Sequence, residues 1–432
     1  MNVPATDGWV RLHPLSPVLR GGRVILPAIL VTAQATAKSG STGVRLAVFL
    51  GLVTLVGVAG VISWLVTRWR VEAGTLRIET GLIRRDSRQI PLSRLQAIDI
   101  VRPLLGRVLG LSELRLRLAG SHHGDARLAF LAEGSARALR ARLLALAHGL
   151  AEETPAPLEL PLFQLPTPRL LASISLTGLG LTAGGLVVAA VIAVSVSPAA
   201  AGGFIAPALG FWVAAWRRLN SEFDFTVAEA PDGLRLKAGL LETRAETIPY
   251  GRVQAVRIIE PLLWRAAGWC RVEVDVAGQG HVRRGDQEGV KVTRALLPVG
   301  SREQAVALVA RVMPWPLPAS TRPPGRARLK SPLRYHFLAA GYDGRCAITQ
   351  SGRVRRATDV VPLSKVQSIR WVQGPVQRRL RVATIHLDTA GRNIHAVLRD
   401  RDAAEADTSL RELPDLCRAA RQYERSRTNT PG

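Results

Sequence analysis

The chain contains one segment three times, and this repetition constrains its fold more than any single motif does. The copies occupy 80–110, 238–268 and 351–381, and the first two align without a gap. Each copy has a glycine, a proline, a glutamine and an arginine at matching positions, which are Gly81, Pro91, Gln96, Arg107, Gly239, Pro249, Gln254, Arg265, Gly352, Pro362, Gln367 and Arg378. The copies are much farther apart than the roughly 50 residues of the longest solenoid repeats. Each copy therefore predicts a separate small domain.

The length and the charge of the chain agree with this organisation. A chain of 432 residues has room for about three domains of ordinary size. The net charge is +25, and arginine supplies most of the basic residues. Codon bias alone is one explanation of such an excess of arginine. A surplus of this size indicates attraction to an anionic surface, either nucleic acid or acidic lipid.

Residues with catalytic or metal-binding chemistry are sparse. Cys270, Cys346 and Cys417 are far apart and have no C-x-x-C spacing, so neither a metal site nor a disulfide framework is indicated, which fits a reducing cytoplasm. The pair His122-His123 lies in a Gly/Ser/Asp turn, which is typical of a solvated loop. None of the common catalytic motifs is present. The sequence predicts a non-enzymatic protein with no metal site and no cofactor.

Uncharged apolar segments predict a helical membrane anchor in two pairs, one within 1–67 and one within 169–218. The segments 46–67 and 170–194 are long enough to cross a bilayer as helices. The segment 199–216 is shorter and contains Pro207, but Trp212 and Trp216 at its end resemble interface anchors. The segment 24–37 is either a short span or a re-entrant or interfacial piece. Because these segments contain no Asp, Glu, Lys or Arg, they indicate anchoring rather than coupled transport.

Arginines beside the apolar segments predict the orientation. Arg68 and Arg70 follow the first pair, Arg169 precedes the second pair, and Arg217 and Arg218 follow it. Positive residues remain on the cytoplasmic side of a membrane. All three repeats are therefore predicted to be cytoplasmic, whether or not 24–37 spans.

The soluble parts have the period-two pattern of β-strands. Apolar residues alternate with polar ones at Leu76 and Ile78, at Leu114, Leu116 and Leu118, at Val272, Val274 and Val276, and at Ile385 and Leu387. Helical patterns follow at 136–150, 304–312 and 410–425. Strands followed by one amphipathic helix indicate a small curved sheet or barrel with a helical lid. The predicted domains are 68–151, 219–313 and 333–428, separated by Pro-rich linkers at 152–168 and 314–332.

The repeated motif resembles a known family. The pattern G-L-[IL], then I-P-[LY]-x-R-[LV]-Q, then P-L-L-x-R-x-x-G is similar to bacterial pleckstrin-homology (PH) membrane proteins of the YdbS/YdbT type. In the third copy Val361 replaces the isoleucine and Arg381 replaces the last glycine. The resemblance implies three PH-like barrels, each capped by a C-terminal helix, in a multi-pass protein of the bacterial cytoplasmic membrane. It implies no settled activity.

Two clusters of arginine are candidate binding residues. They follow the shared glycine in the first and third copies and are Arg84, Arg85, Arg88, Arg353, Arg355 and Arg356. The second copy has Glu242, Arg244 and Glu246 in this region. Three interpretations remain open, which are contact with anionic lipid headgroups, a charged strand edge that blocks edge-to-edge pairing, and a site for a protein partner. The shared Arg107, Arg265 and Arg378 lie beside apolar residues and are predicted to anchor the fold.

The sequence thus predicts a non-enzymatic membrane platform with three cytoplasmic PH-like domains. Its expected partners are the lipid bilayer, anionic headgroups, further copies of itself as a homo-oligomer, or a partner membrane protein. The alternative is an accessory protein for lipid handling, export or toxin resistance. Nucleic-acid binding is disfavoured, because the bilayer already offers the basic surface an anionic partner.

Overall fold

The computed structural model of the chain describes 67–72, 75–80, 86–92, 95–118, 126–147, 160–196, 198–230, 233–277, 294–391 and 393–429, with scattered positions between 9 and 66. The apolar segment 24–37, most of 46–67, the pair His122-His123 and linker residues 152–159 lie outside the described residues. The chain divides into two compact units. Unit 1 comprises 1–158 with 241–247, and unit 2 comprises 159–240 with 248–432.

From residue 67 onward, the described part of unit 1 contains antiparallel strands and two α-helices. One sheet has the order β1-β2-β3-β4, with β1 at Val10–Arg11, β2 at Arg68–Glu72, β3 at Thr75–Thr80 and β4 at Asp86–Pro91. A further set of paired strands comprises β5 at Leu95–Pro103, β6 at Leu111–Leu118 and β7 at Ala126–Ala132. A one-turn helix α1, Leu104–Val108, joins β5 to β6, and α2, Glu133–Ala147, follows β7.

The alternating pattern of the strands produces the core of unit 1. Leu76 and Ile78 of β3 are buried, as are Leu114 and Leu116 of β6. They form one apolar cluster with residues of α2, including Leu143. Burying a leucine side chain contributes about 1.5–3 kcal/mol. The strands and the following helix that the sequence predicts here are confirmed.

A strand from the second copy completes the sheet of the first copy. Residues 241–247 belong to unit 1, and β11, Glu242–Ile248, pairs antiparallel with β5. Glu242 lies opposite Pro103 in this register, and Ala245 lies opposite Ile100. The buried Arg140 of α2 donates a hydrogen bond to Thr247 Oγ1 at 2.9 Å. The first copy therefore depends on residues more than a hundred positions farther along the chain.

Unit 2 contains the rest of the second copy and the whole third copy. The strands of the second copy are β8 Leu160–Gln164, β9 Thr226–Ala230, β10 Gly233–Ala238, β12 Val253–Pro261, β13 Trp269–Val276 and β14 Arg294–Ser301. Those of the third copy are β15 Ala339–Tyr342, β16 Cys346–Ser351, β17 Arg355–Pro362, β18 Val366–Val372, β19 Val382–Thr389 and β20 Ala396–Asp402.

Five helices accompany these strands. They are α3 Thr167–Ser175, α4 Gly178–Val196, α5 Pro198–Glu222, α6 Leu262–Ala266 and α7 Arg302–Val312. The third copy adds α8 Pro375–Arg379 and α9 Ala403–Asn429. A capping box formed by Ser301 and Gln304 starts α7. The helices predicted at 304–312 and 410–425 are confirmed as parts of α7 and α9.

The second and third copies share one continuous sheet, with the order β14-β13-β12-β17-β16-β15. Strand β17 of the third copy pairs with β12 of the second, so that Pro261 lies opposite Arg355 and Val256 opposite Val360. The bidentate ion pair between Arg257 and Asp359 spans this junction, with N–O distances of 2.5 and 2.9 Å. Its hydrogen bonds raise the pKa of the Arg257 guanidinium. The junction is thus held by backbone bonds and by one charge pair.

The closed barrels that the family resemblance implies are not found among the described strands. The described strands form open sheets, and none of these sheets closes on itself. The physical reason is visible at β17, whose edge bonds to the preceding copy instead of closing a barrel within its own copy. What the structure retains of the implied fold is antiparallel sheet with a helix after the last strand of each copy.

The apolar segment 170–194 is a bent pair of helices rather than one straight helix. Helices α3 and α4 meet at 62° across the break. Gly180 permits this bend, because a Cβ atom there would lie 2.4 Å from the carbonyl oxygen of Ser175. Judged by length and composition within the described residues, that bent pair is long and apolar enough to cross a membrane, whereas no single helix is. The membrane anchor remains a prediction.

Changing Gly268 tests whether the left-handed backbone that follows the one-turn helix α6 requires glycine. Gly268 has φ +67°, and an added Cβ would meet no atom within 4 Å, so Gly268→Ala changes backbone strain alone. An L-residue in the left-handed region costs about 1–2 kcal/mol. We expect a melting temperature about 2–4 °C lower for the full chain in detergent, measured by scanning fluorimetry. Gly251→Ala is the matched control, since Gly251 has equal space and no left-handed φ. Equal melting temperatures of the two variants would contradict the left-handed strain that we assign to position 268.

Removing one partner of the Arg257–Asp359 pair tests the junction between the second and third copies. Asp359→Asn leaves the half-buried guanidinium without its counter-charge, and we expect a loss of about 2 kcal/mol in denaturant unfolding of the full chain. Arg370–Asp388 offers a control pair of the same residue types, with Arg370 exposed. Asp388→Asn is expected to have a much smaller effect. Equal losses at the two pairs would show that the junction pair is not special.

Candidate functional site

The hairpin between β16 and β17 of unit 2 has an exposed basic tip. Gly352 adopts φ +93°, and a Cβ atom there would lie 2.0 Å from the carbonyl oxygen of Arg355, so only glycine permits this turn. Arg353 and Arg355 are exposed on either side of Val354, whose residue exposure is 66%. The tip therefore places one exposed apolar side chain between two cations.

The one-turn helix α6 lies beside the hairpin, because it starts directly after Pro261. Pro261 of β12 lies opposite Arg355 and provides the N-cap of α6. Trp264 is buried, and its indole Nε1 donates to the carbonyl oxygen of Ser173 at 3.2 Å. This anchor leaves Leu262 and Leu263 55% and 36% exposed. The helix therefore presents two leucines beside the basic tip.

Arg265 joins the helix to the hairpin. Its guanidinium Nη2 donates to the carbonyl oxygen of Arg353 at 2.7 Å. We call the surface formed by Leu262, Leu263, Arg265, Arg353, Val354 and Arg355 the Arg–Leu patch. It combines apolar side chains with cations, which is the composition of surfaces that bind at a membrane interface.

The charge of the patch is only partly balanced. Glu260 lies 4.0 Å from Arg356 and 3.5 Å from Arg302, so its carboxylate serves two guanidiniums. Arg353 and Arg355 have no carboxylate within ion-pair distance among the described residues. The patch is therefore an electropositive surface that favours an anionic partner.

The other two copies repeat the arrangement around their one-turn helices. In α1, Gly106 is buried, while Leu104, Leu105 and Val108 are exposed together with Arg107. In α8, Gln377 is buried and donates to Thr384 Oγ1 and Asp400 Oδ1, while Val376, Arg378 and Arg379 are exposed. In each copy the third helical residue faces the core. The shared arginine lies in the last turn, beside exposed apolar residues.

The arginines selected from the sequence have different outcomes. The structure brings Arg353, Arg355 and Arg356 together at one hairpin. Arg84 and Arg85 lie outside the described residues, and Arg88 is known only by its place in β4, opposite Ile78. Lipid contact at any of these residues stays a prediction.

Sequence reasoning missed the apolar half of the patch. Leu262, Leu263 and Val354 were not selected, although a P-L-L-x-R motif that recurs between strands contains more leucine than a solvated turn needs. Arg265 was predicted to anchor the fold, and its bond to Arg353 shows that it also positions the tip. The signal available in the sequence was the recurrence of leucine close to arginine in the first two copies.

Other candidate chemistry is weak in the described part of the chain. No group of three or more His, Cys, Asp or Glu residues there has the arrangement of a metal site. An open groove of about 280 Å³ in unit 2 is lined mainly by polar residues, including Arg257, Asp359, His395 and Arg399. Arg257 and Asp359 of this groove are bonded to each other.

Comparison with known families identifies the repeated unit. The family model described as "Bacterial PH domain" matches three times, over residues 24–147, 169–314 and 295–415. The matches cover most of the chain. The chain belongs to the bacterial PH domain family. Searches of curated proteins and of solved structures gave no match.

The extent of the bacterial PH domain matches adds one observation. The first two matches begin at residues 24 and 169, where the apolar ranges 24–67 and 169–218 start, and they include these ranges. The third begins at residue 295, within β14, and contains no such segment. Two of the three bacterial PH domains thus carry an apolar pair in front of their repeat.

Burial of the three cysteines predicts that they are unreactive. Cys270, Cys346 and Cys417 are free thiols in the interior. Burial raises the pKa of Cys270 and of Cys346 to about 12, and it raises that of Cys417 as well. At about pH 8 the thiolate, which is the reactive form, is therefore almost absent. We expect an aromatic disulfide reagent to label no thiol in the native chain and three thiols after denaturation. Rapid labelling of the native chain would contradict this burial.

Proposed function

We propose that this protein is a multi-pass protein of the bacterial cytoplasmic membrane that presents three PH-like domains to anionic lipid and to protein partners, without catalysis. Repeated bacterial PH domains indicate a protein- or lipid-interaction module. The Arg–Leu patch is the observation that carries the lipid assignment. The anchor, the cytoplasmic orientation and the lack of enzymatic activity are parts of the same proposal.

The patch has the chemistry that an anionic bilayer surface requires. Each basic residue near such a surface contributes about 1 kcal/mol, and exposed leucines add the apolar part of interfacial binding. Arg353 and Arg355 are free of carboxylate partners in the described part of the chain, so no charge pair has to be broken first. Leu262 and Leu263 are held outward by the buried Trp264.

The apolar helices of unit 2 support the membrane part of the proposal. Helix α4 is apolar on all sides, and Val187, Val191 and Ile192 are among its exposed residues. Trp212 and Trp216 are exposed on α5 and are followed by Arg217 and Arg218. A helix that is apolar all round is stable only inside a large core or in lipid. Cytoplasmic placement of the domains follows from the arginines beside these helices.

A fluorescent label at the hairpin tip tests the lipid assignment. Because the native cysteines are buried, Val354→Cys provides the accessible thiol for an environment-sensitive dye. The labelled full chain is placed in nanodiscs of neutral lipid or of neutral lipid mixed with phosphatidylglycerol. We expect blue-shifted, brighter emission with the anionic lipid, because the dye enters the interface. Added salt should weaken the emission shift, because salt screens an electrostatic contact.

Two controls separate patch binding from general adsorption. Val306→Cys places the same dye on α7, at a valine of similar exposure outside the patch, and should show no lipid dependence. Arg353→Glu with Arg355→Glu should abolish the shift at Val354→Cys. Identical emission in both kinds of nanodisc would reject lipid contact and leave the tip as a charged strand edge or a protein site.

A further inference from the structure

Three equivalent strands have different numbers of neighbours. Strands β5, β12 and β18 follow the shared proline in the first, second and third copies. β5 lies between β6 and β11, and β12 lies between β13 and β17. β18 pairs with β19 alone and is the edge of its sheet in the described part of the chain.

The two junctions inside the chain use the same register. Pro103 and Pro261 are equivalent residues of the first and second copies, and they lie opposite Glu242 and Arg355. Glu242 and Arg355 are themselves equivalent residues of the second and third copies. The strand after each shared glycine is therefore built to add to the preceding copy in one defined alignment.

The free edge of β18 exposes residues whose first-copy equivalents are buried. Val372 is 43% exposed, whereas its equivalents Val101 and Ile259 are 2% and 1% exposed. Trp371 is 42% exposed, whereas its first-copy equivalent Ile100 is buried. Unpaired backbone groups beside exposed apolar residues form a template for another strand.

The matching strand is left over at the start of the chain. β4 is the first-copy equivalent of β11 and β17, both of which pair with a preceding copy. Within the described residues, β4 pairs only with β3 and ends its sheet. Among the described residues, β18 thus offers an acceptor edge and β4 is a strand with one neighbour.

We propose that β18 of one chain accepts β4 of a second copy of this chain, in the register used twice within the molecule. In this alignment Val372 lies opposite Asp86, Arg370 opposite Arg88, and Ser368 opposite Ile90. The contact is heterologous, so it generates a ring or an open chain of copies. The pairing is strand addition, in which backbone bonds supply affinity and side chains supply alignment.

The charges at this contact make it weaker than the internal junction. Arg370 is the equivalent of Arg257, and Arg88 is the equivalent of Asp359, so an arginine pair replaces the ion pair. Arg370 is already held by both carboxylate oxygens of Asp388, at 2.6 and 3.1 Å. This bond lowers the pKa of Asp388 and keeps the carboxylate charged. The repulsion that Arg88 meets is therefore reduced, and association depends on concentration in the membrane.

Disulfide trapping tests the contact and its register. Full chains with Arg370→Cys are mixed in detergent with full chains carrying Arg88→Cys and are then mildly oxidised. Directly opposite residues of antiparallel strands lie about 4.5–5.5 Å apart, within the range of a disulfide. We expect covalent dimers at least tenfold above those of control mixtures with Ser87→Cys or Gln89→Cys, which are displaced by one residue to the opposite face.

Several results would overturn the proposal. Equal trapping by the control pairs would show that the proposed register is wrong. Dimers from Arg370→Cys alone would indicate that two β18 strands pair with each other. A disulfide that forms only when both cysteines are on one chain would indicate closure within a molecule. Trp371→Lys, which places a charge on the edge, should abolish the dimer while the native cysteines stay unreactive.

Charge reversal gives an independent measurement. Arg88→Asp restores the arrangement of the Arg257–Asp359 junction, and we expect about tenfold tighter self-association in sedimentation. Adding Arg370→Asp to that variant places two carboxylates opposite each other and should reverse the gain. An unchanged association constant in Arg88→Asp would contradict the proposed alignment.

This inference rests on the assembly part of the proposed function and not on its lipid part. The trapping is done in detergent without anionic lipid, so its failure leaves the nanodisc result untouched. A protein that traps in register but shows no lipid-dependent emission would assemble without reading headgroups.

Discussion

The backbone hydrogen bonds between one copy and the strand donated by the next are the interaction on which the structure depends. They join β11 to β5 and β17 to β12 in one register. Because backbone groups buried without partners are costly, a copy that lacks the donated strand would expose both an edge and apolar residues. The second and third bacterial PH domains consequently share one sheet, and unit 1 incorporates residues 241–247 of the second copy. This sharing also explains why the strands do not close into barrels.

The same register creates the candidate binding surface. Opposing Pro261 to Arg355 places a hairpin tip of the third copy beside the one-turn helix of the second. The Arg–Leu patch thus combines residues of two repeats, with Leu262, Leu263 and Arg265 from the second copy and the tip 353–355 from the third. A surface assembled in this way exists only when two copies are paired.

Much of the local structure was predictable from the residues. Period-two alternation located strands at Leu114 and Val272, and the shared glycine marked a turn that Gly352 occupies with φ +93°. The left-handed position after the one-turn helix persists even where Arg381, with φ +50°, replaces the glycine. These features depend on local sterics and on which side of a strand is apolar. The candidate site was half predictable, since charge selected Arg353 and Arg355 but not Leu262, whose exposure depends on the burial of Trp264.

By itself the sequence determined the three repeats, the positions of several strands and of the helices that follow them, and the basic, cysteine-poor character of the chain. The tertiary structure decided which strand lies beside which, where the sheets end, and that β18 remains an edge. The physical reason is that alternation specifies which residues are buried but carries no information about the neighbour that buries them. That choice is made by backbone pairing between segments far apart in the chain.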